Sequence, residues 1–203
     1  MKYQITAVRD LKAILKDLEP HIRDSRQLRV GRDFKKMAKR PREPLGNWLF
    51  CVTLIEATGR DWTLSEDPMG GDSAMLDRTN GTRILIEHIF IPPPRAGEDR
   101  SVELQVIDAV AKKASKGAPY AKGKTLVVFS EAVGKWFPNR AARAITGKQG
   151  FEAIWSAGLE AAESGRYIYW MTRLEPGHAP AWRIRIADAF DGWAVEPIQG
   201  TTC

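Results

Sequence analysis

The 203 residues suffice for one domain with a well-buried core, and a hydrophobic content of 43% with a charged content of 28% is typical of a folded globular chain. No uncharged apolar stretch is long enough to cross a bilayer, and the N-terminus lacks a secretory signal pattern, which predicts a cytoplasmic protein without a membrane partner. The two cysteines, Cys51 and Cys203, match neither a disulfide framework nor a zinc-binding pattern.

The net charge of +6 originates in the first 44 residues, which hold 13 Lys and Arg against 6 Asp and Glu. Hydrophobic spacing predicts a helix over 6–18 that stops near Pro20, and a second helix within 22–40. The second helix would present a broad basic surface made of Arg23, Arg26, Arg29, Arg32, Lys35, Lys36 and Lys39. A solvated helix face is one interpretation of this surface, but the concentration of charge in one segment favours binding to nucleic acid.

The stretch LGNWLFCVTLIEATG predicts a strongly apolar helix that follows the prolines at 41 and 44, ends at Gly59 and has largely buried surroundings. DWTL predicts a short strand. In the stretch GGDSAMLDRTNGTRILIEHIF, the pair Asn80-Gly81 predicts a two-residue type I′ turn between strands over 72–78 and 83–91.

Such a turn would pair Ala74 with Glu87 and Asp72 with Ile89. Because side chains alternate along a strand, Asp72 and Glu87 would then share one face as diagonal neighbours, roughly 7–8 Å apart. One oxygen-coordinated divalent cation could bridge them. The alternative is a solvated Asp72 and a Glu87 paired with a lysine, because a carboxylate inside ILIEHIFI needs a metal, a donor or a cation.

The chain continues with a predicted helix in SVELQVIDAVAKKASKG, capped by Ser101, and a central buried strand in KTLVVFS. A helix within 139–163 and the strands RYIYWMTRL and AWRIRIADAF would complete a mixed α/β domain. We divide it into a basic helical extension, 1–44, a core, 45–130, and a C-terminal helix with two strands, 131–203. GKQG and KGK lack the arrangement of a phosphate-binding loop, so no nucleotide cofactor is predicted.

The order of elements around GGDSAML, ILIEHIF and KTLVVFS resembles the PD-(D/E)xK superfamily, the restriction-endonuclease-like nucleases. The common core of that superfamily is helix, three strands, helix and strand, which corresponds to residues 45–130. The resemblance implies that Asp72 and Glu87 bind Mg²⁺ or Mn²⁺, and that Glu56 on the first core helix is a further metal ligand.

The sequence departs from the superfamily at the usual catalytic lysine, two residues after the glutamate, where Ile89 stands. Strand alternation also directs His88 to the opposite face. Some members carry the lysine on the following helix, and Lys113 is the best positioned candidate there, with Lys112 and Lys116 as alternatives. A solvated helix face is the competing interpretation for all three lysines.

Two hypotheses follow from the resemblance. The first is a Mg²⁺-dependent nuclease that hydrolyses phosphodiester bonds in DNA or RNA, with Asp72, Glu87 and Lys113 as catalytic residues. The second is a catalytically inactive nuclease-fold module without a cofactor, which binds nucleic acid or a protein partner.

Overall fold

The computed structural model describes residues 10–30, 41–65, 72–94, 100–132, 134–145, 150–175 and 177–198. The helices in these ranges are α1 Leu11–Arg23, α2 Arg26–Val30, α3 Arg42–Thr58, α4 Val102–Ala114, α5 Ala118–Ala121 and α6 Pro138–Ile145. The strands are β1 Trp62–Ser65, β2 Ser73–Asp77, β3 Arg83–Ile91, β4 Lys124–Ser130, β5 Ala153–Glu163, β6 Arg166–Arg173, β7 Ala181–Ile186 and β8 Trp193–Pro197. None of these helices combines the length and the apolar character needed to span a membrane.

All eight strands form one mixed sheet, in which the spatial order is the order along the chain. The pairs β3–β4 and β4–β5 are parallel, and every other neighbouring pair is antiparallel. Parallel neighbours need a crossover connection, and these crossovers contain α4 and α5 for the first pair and α6 for the second. The predicted mixed α/β class is therefore confirmed, and the segment 42–130 contains a helix, three strands, two helices and a strand.

Helix α3 lies at the centre of the fold and is buried on all sides over its middle. Each residue from Pro44 to Leu54 is buried, as expected of a helix without a polar stripe. The helix contacts β1 at one edge of the sheet and β8 at the other, so the sheet curls around it. It ends where the sequence predicts, at Gly59, whose φ of 64° suits glycine and whose N–H donates to the Ile55 carbonyl.

The core strand β4 is buried on both faces, as its run of consecutive apolar residues predicts. Val127 and Phe129 belong to the hydrophobic cluster on the α3 side of the sheet. Leu126 and Val128 belong to the cluster on the α4 and α6 side. The sheet thus separates two apolar cores.

The prediction that Pro20 stops the first helix is wrong, because Pro20 lies inside α1, which continues to Arg23. Leu18 and Ile22 are both buried, so the apolar face of the helix extends past the proline. Tertiary packing of that face offsets the hydrogen bond that proline cannot make. Residues 6–9 of the predicted helix lie outside the described residues.

The prediction for the C-terminal part is also wrong in two places. Residues 153–163 form β5 instead of continuing a helix, and β8 adds a strand beyond the two predicted ones. The sequence of β5, AIWSAGLEAAE, is rich in alanine and glutamate, which favour helices. Its backbone nevertheless pairs with β4 on one side and β6 on the other, so tertiary pairing overrides local propensity.

Candidate functional site

The hairpin between β2 and β3 has a different turn from the predicted one. Asp77 donates its N–H to the Thr82 carbonyl, and Gly81 donates to the Asp77 carbonyl, so residues 78–81 form a four-residue loop. Gly81 has a φ of 78°, but Asn80 does not take the positive φ that a type I′ turn requires. The Asn80 side chain instead accepts a hydrogen bond from the Thr82 N–H, at 2.8 Å. Such local bonds to asparagine and aspartate stabilise the longer loop.

The longer loop shifts the strand register by two residues from the prediction. Ser73 lies opposite Ile86, so the register, extended by one residue, places Asp72 opposite Glu87 instead of Ile89. A shift of two residues keeps every side chain on its face of the sheet. Asp72 therefore still meets β3 beside Glu87, and its Oδ2 accepts a hydrogen bond of 2.7 Å from the His88 N–H.

Glu87 is the centre of the candidate site, and three side chains hold its carboxylate. Lys124 Nζ, from the first residue of β4, lies 2.7 Å from Oε1. Lys113 Nζ, from α4, lies 3.2 Å from Oε2, and the Tyr120 hydroxyl of α5 donates to the same oxygen at 2.5 Å. The Glu87 side chain is only 8% exposed, so these donors replace its lost hydration.

These contacts determine the charge states of the site. Burial alone would raise the pKa of Glu87, but hydrogen bonds from Lys124, Tyr120 and Lys113 outweigh it and lower that pKa to about 2. Burial lowers the pKa of Lys113, but its bonds to Tyr120 and Glu87 outweigh burial and raise it. Burial and the hydrogen bond to Glu87 raise the pKa of Tyr120. At neutral pH the site therefore holds a carboxylate, an ammonium group and a protonated phenol.

The Tyr120 ring is surrounded by lysines. Lys124 Nζ lies 4.5 Å from the ring centroid, Lys116 Nζ 4.6 Å and Lys113 Nζ 5.7 Å, which are cation–π distances. The segment 112–124 contains five lysines and no acidic residue. The site therefore opens onto a strongly positive surface, which attracts phosphates.

Of the predicted site residues, the structure brings Lys113 to Glu87. Lys113 Nζ also donates to the His88 carbonyl at 3.0 Å, so the ammonium group is fixed against β3 from the helix that follows it. Ile89, at the usual lysine position, packs against the apolar cluster on the same side of the sheet. The ammonium group therefore reaches the carboxylate from α4, as strand and helix periodicity predicts.

The structure does not bring Glu56 to the other carboxylates. Asn47 of α3 lies against His88, but Glu56 follows it by nine residues, about 14 Å farther along the helix axis. Its side chain is exposed, and α3 lies on the sheet face opposite Lys113. The expectation that Glu56 joins the same metal site is therefore not supported by this geometry.

His88 faces α3, away from Glu87, in agreement with strand alternation. Its Nε2 lies 2.7 Å from Asn47 Oδ1, and the Ser73 hydroxyl donates to the same oxygen at 2.8 Å. Gly46 leaves room for the imidazole, because a Cβ there would come within 3.3 Å of His88 Cε1. This partly buried polar group links β2, β3 and α3, and so has a structural role.

The basic N-terminal surface is only partly within the described residues. Arg23 Nε pairs with Glu19 at 2.9 Å, its Nη2 donates to the Asp188 carbonyl, and its guanidinium stacks on Phe190. Arg23 therefore packs the end of α1 against the loop between β7 and β8. These bonds occupy N–H donors of Arg23 that the predicted basic surface would have offered to phosphate.

Arg26 pairs with Asp24 at 2.9 Å. Because α1 ends at Arg23 and α2 begins at Arg26, the arginines do not lie on one continuous helix. The side chain of Arg29 and the residues Arg32, Lys35, Lys36 and Lys39 lie outside the described part of the chain.

Sequence reasoning missed Lys124 and Tyr120. Strand periodicity could have found Lys124, because it lies two residues before Leu126, which pairs with Glu87 in the parallel register. The two side chains therefore lie on one face. Tyr120 has no comparable signal, because its position depends on the turn between α4 and α5.

The carboxylates retain some capacity for a metal. A carboxylate offers about four lone-pair positions, and Glu87 uses three, which leaves one on Oε1. Asp72 Oδ1 has no hydrogen-bond or ion-pair partner among the described residues. Within the described ranges no three His, Cys, Asp or Glu side chains gather as a metal-binding group. The available donor set is therefore two carboxylates, an oxygen environment suited to Mg²⁺ or Mn²⁺.

Comparison with known proteins gave no match. No family model matches the chain, and no curated protein and no solved structure matches it. The function must therefore be inferred from the chemistry of Glu87, its neighbours and the lysine-rich surface.

Proposed function

We propose that the chain is a Mg²⁺-dependent nuclease-like protein that hydrolyses phosphodiester bonds in DNA or RNA, built on a divergent restriction-endonuclease-like core. The observation that supports this proposal is the position of Lys113, whose Nζ lies 3.2 Å from Glu87 Oε2 and 3.0 Å from the His88 carbonyl. With Ile89 at the usual lysine position, α4 supplies the ammonium group instead.

Each residue has a distinct role in the proposed reaction. Asp72 and Glu87 would hold Mg²⁺ or Mn²⁺, which when bound polarises the phosphate and lowers the pKa of a coordinated water. The Lys113 ammonium group would stabilise the negative charge that develops on the phosphate oxygens. Lys124 and Tyr120 would keep Glu87 ionised and fix its orientation.

The charge balance of the site favours joint binding of metal and substrate. The carboxylates of Asp72 and Glu87 are matched by the ammonium groups of Lys113 and Lys124, so the site is neutral before a ligand arrives. A neutral site attracts a free dication weakly. A phosphodiester adds the missing negative charge, so we expect nucleic acid to raise the affinity for Mg²⁺.

Nucleic acid is the substrate class that the surface around the site favours. Lys112 in the last turn of α4 and Lys116 and Lys122 between α4 and β4 are all exposed, and Lys116 lies over the Tyr120 ring of the candidate site. Arg23 and Arg26 are already paired within the protein. We therefore expect the phosphate backbone to follow the lysines of 112–124 more closely than the two arginines.

A cleavage assay with labelled DNA and RNA, with and without Mg²⁺, tests the proposal. Glu87→Gln and Lys113→Met should each lower the Mg²⁺-dependent rate by at least about 100-fold, because the first removes a charged metal ligand and the second removes the ammonium group at the reacting phosphate. Lys12→Met is the matched control, since Lys12 is exposed on α1. Circular dichroism must show that each variant is folded. Cleavage that persists in folded Glu87→Gln would overturn the proposed catalytic site.

The second candidate function is a catalytically inactive nucleic-acid-binding module. It is favoured by the fact that both oxygens of Glu87 are already held by ammonium and hydroxyl donors. In that case the unmodified protein binds nucleic acid without cleaving it. Lys116→Ala and Lys122→Ala should then each reduce the slope of log affinity against log salt by about 0.9, the effect of one lost phosphate contact.

A further inference from the structure

The two lysines that hold Glu87 are anchored differently. Lys113 Nζ bonds to Glu87 Oε2 at 3.2 Å and also donates to the His88 carbonyl at 3.0 Å, so it has a second partner besides the carboxylate. Lys124 Nζ bonds to Glu87 Oε1 at 2.7 Å and has no second hydrogen-bond acceptor among the described residues. Its other contact is the Tyr120 ring, whose centroid lies 4.5 Å away. Lys124 is therefore the cation of the site that is free to change its partner.

Lys124 also holds the carboxylate oxygen that a metal needs. Glu87 Oε2 already accepts from Lys113 and from the Tyr120 hydroxyl, whereas Oε1 accepts from Lys124 alone. The lone pair that remains for a divalent cation is therefore on the oxygen that Lys124 occupies. Two cations on one oxygen repel each other strongly here, because the Glu87 side chain is only 8% exposed and little water screens them. Metal binding at Glu87 therefore favours the departure of Lys124.

The position of Lys124 offers its ammonium group a second partner. Lys124 is the first residue of β4, and its side chain is 23% exposed. The exposed Lys116 lies over the same Tyr120 ring, and the exposed Lys122 precedes β4 by two residues, so this is the surface on which we expect a phosphate backbone. The flexible four-carbon stem of a lysine lets its ammonium group turn from a carboxylate to a phosphate without movement of the strand.

We propose that Lys124 exchanges Glu87 for a nucleic-acid phosphate, so that the site binds a divalent cation and its substrate cooperatively. In the free protein the ammonium group holds Oε1 of Glu87. In the complex it donates to a phosphate oxygen instead, which leaves Oε1 to Mg²⁺ or Mn²⁺. Each ligand then raises the affinity for the other by the same factor. This inference rests on the proposed metal-dependent function and assigns the residue that regulates it.

Mn²⁺ binding to the protein without nucleic acid tests the first half of the exchange. The free Mn²⁺ signal in electron paramagnetic resonance measures the affinity. Lys124→Met should bind Mn²⁺ at least about tenfold more tightly than the wild type, because Oε1 is no longer held and a positive charge is gone. Lys124→Arg, which keeps the charge, should resemble the wild type.

Lys116→Met is the matched control for this measurement. Lys116 Nζ lies 4.6 Å from the centroid of the same Tyr120 ring but, within the described chain, makes no bond to Glu87. Its replacement should change the Mn²⁺ affinity by less than about threefold, since an exposed charge is screened by water. The double variant Glu87→Gln, Lys124→Met should lose the gain in affinity, which locates the bound ion at Glu87. Circular dichroism checks that each variant is folded.

The outcomes separate the exchange from the metal site itself. Equal Mn²⁺ affinities of the wild type and folded Lys124→Met would overturn the exchange and leave the metal site standing. Mn²⁺ binding by none of these proteins, with or without DNA, would overturn the exchange together with the proposed function.

Binding of labelled DNA with and without Ca²⁺, followed by fluorescence anisotropy, tests the second half. Ca²⁺ takes oxygen ligands as Mg²⁺ does, and Glu87→Gln, which lacks the metal ligand, measures how far Ca²⁺ weakens binding by screening phosphates. Relative to that reference, Ca²⁺ should raise the DNA affinity of the wild type at least about tenfold, and that of Lys124→Met much less. Lys116→Met should lower both affinities by one factor and keep the wild-type ratio. No effect of Ca²⁺ on the wild type, or an equal effect on Lys124→Met, would overturn the exchange.

Discussion

The charge on Glu87 should make the stability of the protein depend on pH over a defined acid range. The pKa of Glu87 falls from 4.5 to about 2 in the folded protein. A carboxyl group whose pKa is lower in the folded protein stabilises the folded state at pH values above the pKa of the unfolded chain. This contribution is therefore complete above pH 4.5 and is lost as the pH falls toward 2. The raised pKa values of Lys113 and Tyr120 keep both groups protonated throughout this range.

The perturbation is Glu87→Gln, which keeps the size of the side chain and removes its charge. One pKa unit corresponds to about 1.4 kcal/mol, so the variant should lose about 3 kcal/mol of unfolding free energy at pH 7. At pH 3 the loss should shrink to about 1.5 kcal/mol, because the carboxylate of the unfolded chain is then protonated. A domain of ordinary stability remains folded after such a loss.

Urea unfolding of both proteins at a series of pH values between 7 and 3 measures this difference. Glu56→Gln is the matched control, since Glu56 is exposed and its replacement should change stability by less than about 0.5 kcal/mol at any pH. If the difference between wild type and Glu87→Gln is the same at pH 7 and pH 3, the lysines and Tyr120 do not stabilise the charge of Glu87, and the electrostatic description of the site is wrong.

Two further substitutions test the packing on either face of the sheet. Gly158→Ala should lower the unfolding free energy by about 1–3 kcal/mol in urea titration, because its Cβ would overlap the Trp170 ring. Gly192→Ala, with no atom near its Cβ, is the control and should have little effect. Equal losses in the two variants would contradict the close approach of Trp170 to Gly158. Asn47→Ala should cost about 1–3 kcal/mol, because it leaves Ser73 and His88 without their shared acceptor. Adding Ser73→Ala to it should then cost less than the two single losses together, and strict additivity would argue against the shared bond.

The sequence predicts much of the fold because several local signals agree with the tertiary structure. The apolar run before Gly59 predicts a buried helix, and the glycine confirms its end by adopting a φ of 64°. The run in KTLVVFS predicts a strand covered on both faces, and β4 has this environment. In each case the local preference and the buried surroundings favour the same conformation.

The predictions fail where tertiary contacts decide the outcome. The Asn80-Gly81 signal is correct for a hairpin, but side-chain bonds from Asp77 and Asn80 select a four-residue loop. The alanine and glutamate content of β5 favours a helix, and pairing with β4 and β6 makes the segment a strand. Neither the loop length nor the neighbouring strands can be deduced from the residues of these segments alone.

The candidate site was predictable only in part. The predicted turn places Asp72 and Glu87 on one face, and this placement holds although the turn is wrong, because a register error of two residues leaves the faces of the strands unchanged. Lys113 could be chosen by helix periodicity once the resemblance to the superfamily pointed to a lysine on that helix. Tyr120 could not, because the bend between α4 and α5 brings it over the sheet, and that bend depends on Gly117, which has a φ of 96°.

The position of α3 has a consequence for synthesis on the ribosome. The strands pair in chain order, so each can join the growing sheet as soon as it emerges. The helix, however, is made before β6, β7 and β8, which contact it. Part of the most apolar helix in the described chain therefore stays in contact with water until these three strands have emerged.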